Sequence, residues 1–145
     1  MPIIDVPVGP PYGTIPVNAS TIYAVVPHPP DPTAASDLLI DSSGARSIQA
    51  LLPITNFAGL LGKDFVEFPM ADVAQSTCFV NRTTWVSIVP HPQISGVVQI
   101  NFAHHYIPVR GTVAEVKKQL TAAPAAARAM AGRRARPKGP AGSRN

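Results

Sequence analysis

Residues 80–92 read VNRTTWVSIVPHP, and most of this stretch has already occurred as VNASTIYAVVPHP at residues 17–29. Seven of the thirteen positions are identical at a separation of 63 residues, among them the opening Val-Asn and the closing Pro-His-Pro. A period in this range marks a duplicated supersecondary unit. The likeness extends upstream, because IIDVPV at residues 3–8 returns 62 residues later as FVEFPM at 65–70. It also extends downstream, where Ile48 and Ile107 correspond at an offset of 59. The four residues of difference are expected in a longer loop after the first Pro-His-Pro, 30–36 against 93–95.

Within each copy the apolar runs are short, β-branched and bounded by Gly, Pro, Asn and Ser, which predicts strands rather than long helices. Residues 21–26 and 84–89 read as strands stopped by Pro-His-Pro corners, since the residue before a proline is driven to an extended conformation. Residues 37–41 and 96–100 answer each other as the next strands, and 46–52 and 105–110 as the returning ones. Pro7 and Pro69 are expected at an edge, an end or a bulge, where no neighbour needs the missing N–H. Asn18 and Asn81 open Asn-X-Ser/Thr triplets. These read as tight turns in which the side chain bonds the backbone rather than as glycosylation acceptors.

Each copy closes on a helical signal. Thr112 and Glu115 form a capping box, with Val113, Val116 and Leu120 on one stripe behind it. Ile54, Phe57 and Leu61 repeat that stripe in the first copy, which predicts a short helix over 53–61. The fold class is therefore mainly β (α+β): two tandem β-hairpin-plus-short-helix repeats related by a pseudo-twofold, followed by an extended basic C-terminal arm. Repeat one is expected over 1–61, a linker over 62–64, repeat two over 65–120 and the tail over 121–145.

Composition agrees with this outline. Hydrophobic residues make up 46% of the 145 and charged residues 14%, which argues against a disordered chain, while 17 prolines and 10 glycines argue against long helices. Charge divides sharply. Residues 1–120 carry six Lys or Arg against eight acids, whereas 121–145 carry six basic residues and no acid. The tail cations Arg128, Arg133, Arg134, Arg136, Lys138 and Arg144 are the candidate partner-binding residues, facing phosphates or an acidic protein groove. No aromatic residue interleaves with them, so base-specific reading of single strands is not expected.

No phosphate loop, cysteine-pair zinc spacing, HExxH or nucleophile elbow occurs, and no catalytic residue, metal or cofactor is assigned. His28 and His91 recur with the repeat but lack ligands at metal spacing and read as parts of stiff corners. His104 and His105 are consecutive, so in a strand they would face opposite sides. Asp41, Asp64, Glu67 and Asp72 read as solvated positions. Cys78 reads as a small core residue in an apolar strand, and Trp85 as the largest shared-core side chain.

The second copy also resembles the small FlbD-like (swarming-motility) proteins. The residues that carry the likeness are Phe79-Val80-Asn81, the Pro-marked turn and hairpin, Val109-Arg110-Gly111-Thr112, and Val113-Ala114-Glu115-Val116 to Leu120. It covers about residues 65–120 and, more faintly, 3–61. The resemblance implies a small non-catalytic domain.

These observations lead to a non-enzymatic structural or interaction protein, read first as an accessory component of a virion shell or similar assembly. Its partners would be protein subunits, with oligomeric assembly and the tail lying across neighbours. The alternative is a nucleic-acid-associated protein that binds phosphates through the tail. No signal peptide or membrane-spanning run is read, so the location expected is a virion or the cytoplasm.

Overall fold

The computed structural model describes residues 3–29, 33–40, 47–71 and 76–122. Strand β1 (Ile3–Gly9) pairs antiparallel with β2 (Gly13–Asn18). They are followed by β3 (Ala24–Pro27), β4 (Ser36–Leu39) and β5 (Ser47–Ala50), and then by a 3₁₀ turn, Ile54–Phe57. The same succession runs again through β6 (Phe65–Pro69), β7 (Thr77–Asn81), β8 (Ser87–Pro90), β9 (Val97–Asn101) and β10 (Tyr106–Arg110). It ends in helix α1 (Val113–Thr121).

All pairings are antiparallel, in sheets ordered β1-β2, β5-β4-β3-β7-β6 and β10-β9-β8. Two main-chain links connect them. Leu51 N–H donates to the Pro7 carbonyl at 2.8 Å, and Ala71 N–H donates to Pro108 at 3.1 Å beside the bridge between Met70 and Val109. The strands thus follow one another as β2-β1-β5-β4-β3 and then β7-β6-β10-β9-β8, the same order twice, joined where β3 meets β7. That seam joins unlike edges. The reciprocal contact that a closed twofold would make, β8 with β2, is not formed among the described residues.

The centre of this sheet is covered on both faces, so β3 and β7 are buried on both sides. Val25, Leu38 and Phe79 point into one core with Ile4, Val6 and Val17 from the β1-β2 hairpin and with Ile54, Phe57 and Leu61. Their neighbours Ala24, Cys78 and Val80 point into a second core with Val98, Ile100, Ile107 and Val109, closed by Val116 and Leu120 of α1. The two apolar stripes read from the sequence, Ile54/Phe57/Leu61 and Val113/Val116/Leu120, therefore occupy matching places. Pro7 sits at the β1 bulge and Pro69 ends β6, as the missing donors require.

Several local expectations are corrected. The stretch 21–26 is not all strand: Asn18 caps a 3₁₀ turn, Ala19–Thr21, and β3 begins only at Ala24. In the second copy β8 likewise begins at Ser87, because Thr84 N–H turns back to the Asn81 carbonyl at 3.4 Å. Within 53–61 only Ile54–Phe57 is helical, as a 3₁₀ turn rather than an α-helix, for Pro53 gives no side-chain cap, whereas α1 has the full Thr112–Glu115 box.

The length difference between the copies also lies mostly elsewhere. Leu38 pairs with Val25 and Ile100 with Ile88, so β4 and β9 correspond at 62 residues; one of the four extra residues falls before β4 and the other three between β4 and β5. Burial sets this register. Leu38 and Ile100 are both fully buried, and an odd slip would turn the strand's apolar side outward.

Candidate nucleic-acid interface

Asn81, Arg82 and Thr83 form the turn from which this region is built. The Asn81 carboxamide oxygen accepts from Thr83 N–H at 3.0 Å and Thr83 Oγ1 at 2.9 Å, and its Nδ2 donates to the Ile22 carbonyl at 2.9 Å. Held this way, Arg82 projects toward the end of α1. Its Nη1 donates to the carbonyls of Gln119 at 2.7 Å and Ala122 at 2.8 Å, while Nε donates to Lys63 at 3.1 Å. A guanidinium on the last free carbonyls of a helix meets both their hydrogen-bonding need and the negative end of the dipole.

Three lysines are exposed on the segments that this contact joins. Lys117 and Lys118 are exposed on the last turns of α1, and Lys63 is exposed beside Arg82. Arg110 is the remaining Lys or Arg among the described residues. Arg82 and Lys118 lie alongside Asp64 and Glu115, and the tail follows α1 in sequence. The tail candidates Arg128, Arg133, Arg134, Arg136, Lys138 and Arg144 lie outside the described residues. Arg82 was legible only as the middle of an Asn-X-Thr triplet, because its carbonyl partners are 37 and 40 residues away in sequence.

The histidines do different work in the two copies. His28 Nδ1 lies 2.8 Å from the Asp37 carboxylate, whereas His91 Nδ1 accepts the backbone N–H groups of Gln93 and Ile94, both at 3.1 Å. His104 and His105 belong to a turn rather than a strand, closed by Phe102 N–H to the His105 carbonyl at 2.7 Å. Both His104 and His105 are exposed, but one face of His105 stacks on Phe102 with its Nδ1 3.4 Å from the Tyr23 hydroxyl. Burial holds the His105 imidazole below its ordinary value of 6.5.

Among the described residues no group of three or more His, Cys, Asp or Glu comes together to hold a metal ion. Asp64 is half-buried and Glu67 exposed, while Asp41 and Asp72 lie outside the described residues. Cys78 is fully buried within the second core. Among the described residues no helix is long and apolar enough to cross a membrane.

No family model matches the chain, that of the FlbD-like proteins included, and no curated protein matches it in sequence. A solved structure does match in fold: the LytTr DNA-binding domain of a protein described as a methyl-accepting/DNA response regulator from Bacillus cereus. The match has a TM-score of 0.54 at 16% identity and covers 83% of this chain and 96% of that one. This chain therefore has the β-rich fold that the LytTr domain displays.

Proposed function

We propose that this chain is a non-catalytic, nucleic-acid-associated protein whose basic tail supplies most of the affinity through phosphate contacts. The observation that carries the reading is the clasp of Arg82 on the end of α1, a helix whose Lys117 and Lys118 are exposed and from which the six-cation, acid-free tail continues in sequence. A flexible point charge such as Lys suits phosphate without selecting a base, so the contact is one of position and charge rather than sequence. The likeness in fold to a DNA-binding domain supports this reading over the virion-shell reading, which has no such support.

The test is a salt titration of duplex and single-stranded DNA binding by the intact chain and by a chain ending at Ala122. About six phosphate contacts give a slope of log affinity on log salt near −5, so affinity falls about 10³-fold between roughly 50 and 200 mM salt. Truncation is expected to remove most of that slope. Binding that is weak and indifferent to salt in the intact chain refutes the proposal.

A further inference from the structure

The seam between β3 and β7 has an unused counterpart on the surface. At the seam, Ala24 faces Val80 and Val25 faces Phe79. Asn81 N–H donates to the Tyr23 carbonyl at 3.0 Å, and the Asn81 carboxamide donates to Ile22. Phe65 and Phe79, from the strands β6 and β7, complete the core that contains Ile22 and Val25. The 3₁₀ turn Ile54–Phe57 packs against both β3 and β7 and so covers the seam. In the second half, β8 stands where β3 does and α1 lies against it, but among the described residues nothing pairs with the outer edge of β8.

The consequences appear residue by residue. Ile22 and Val25 are fully buried, while their counterparts Trp85 and Ile88 are only half-buried. Tyr23 is 3% exposed and its counterpart Val86 is 64% exposed. On the other side of the comparison, Phe65 is 9% exposed, and Ile3, which holds its place on β1, is 69% exposed. Asn18 makes the same turn as Asn81, bonding Ser20 N–H and Oγ, but its Nδ2 has no acceptor among the described residues. The edge of β8 and the edge of β2 thus each carry one half of an apolar, uncharged contact that the chain already makes internally.

We infer that copies of this chain associate head to tail, with the β1-β2 hairpin of one copy adding to the β8 edge of the next in the register of the β3–β7 seam. Asn18 then faces Val86, Val17 faces Ser87, and Ile3 covers the apolar surface around Trp85 and Ile88. Neither β2 nor β8 carries a charged residue or a bulge that would discourage edge pairing; proline, at Pro16 and at the end of β8 in Pro90, is the edge-protecting feature they do carry. Pro16 stands where Phe79 stands and removes one main-chain donor from the contact, so it is weaker than the internal seam and reversible. Because the two surfaces are unlike, the association is heterologous and produces a ring or a filament rather than a closed twofold dimer. Each added copy would present another basic tail, which multiplies attachment to a shared strand, although the contact itself does not depend on nucleic acid.

The experiment is sedimentation velocity on the full-length, nuclease-treated chain at high salt, which suppresses contacts through the tail. The wild type is expected to shift to species larger than a dimer, or to a closed ring, as concentration rises. Ile3→Lys spoils only the hairpin surface and Val86→Lys only the β8 surface, and both side chains are exposed, so the denaturation midpoint serves as the folding control. Each variant alone is expected to be monomeric, and an equimolar mixture to form a one-to-one dimer through the surfaces left intact. A wild type that stays monomeric at every concentration, a single variant that still self-associates, or a mixture that remains monomeric overturns the inference.

Discussion

The Asn81 carboxamide donates to the Ile22 carbonyl at 2.9 Å, from β7 to the segment leading into β3, and so ties the two halves of the chain together from a buried position. Its counterpart Asn18 is exposed and bonds only within its own turn. Asn81→Ala leaves a buried carbonyl without its donor and unties the Thr83 turn, an expected loss of about 2–3 kcal/mol. Asn18→Ala removes only a turn cap, at about 1 kcal/mol. Chemical denaturation of both variants checks the difference, and equal losses would show that the seam does not depend on Asn81.

Trp85 was expected in a shared core, where truncation to alanine would cost about 3–5 kcal/mol. It is half-buried at the open side of the second core, with its Nε1 donating to the Arg82 carbonyl at 3.1 Å. Trp85→Ala is therefore expected to destabilise the isolated chain by about 2 kcal/mol, less than a fully buried ring would cost, since part of the ring meets water. Tryptophan emission between that of a buried ring and that of indole in water, blue-shifted on self-association, is the accompanying signature.

Partial burial of His105 against Tyr23 and Phe102 is expected to make stability depend modestly on pH. Its folded pKa is depressed by burial, so the unfolded chain binds the proton more readily. The contribution is fully present above the ordinary value of 6.5 and is lost as pH falls below 6.5 through the folded pKa. His105→Gln is expected to flatten the pH dependence of the thermal midpoint in that window. An unchanged slope would mean that another group titrates.

The cationic end of α1 should add to the tail's salt dependence. Lys117→Gln with Lys118→Gln is expected to reduce the magnitude of the log–log salt slope by about 2, at about 0.9 per phosphate contact. Neither lysine donates a hydrogen bond through its side chain among the described residues, so stability should change by no more than about 0.5 kcal/mol. A slope identical to that of the wild type would confine binding to the tail.

Much of the fold was legible in the chain because duplication writes the same chemistry twice. The Asn turns, the Thr112–Glu115 box and the paired stripes Ile54/Phe57/Leu61 and Val113/Val116/Leu120 all rest on side chains a few residues apart, where local spacing carries the information. The basic tail and its charge contrast with the body were equally plain from composition.

The tertiary structure decided which edges meet. Alternation along a strand says which side chains share a face, but the N–H and C=O groups that choose a neighbouring strand are the same in every residue except proline. Hence nothing local in Ala24-Val25 or Phe79-Val80 announces that β3 pairs with β7, or that the same pair of edges stays open at β8 and β2. Arg82 became the clasp of α1, and Trp85 a rim residue rather than a core one, for the same reason. Their surroundings come from segments distant in sequence, brought close only when the strands select their partners.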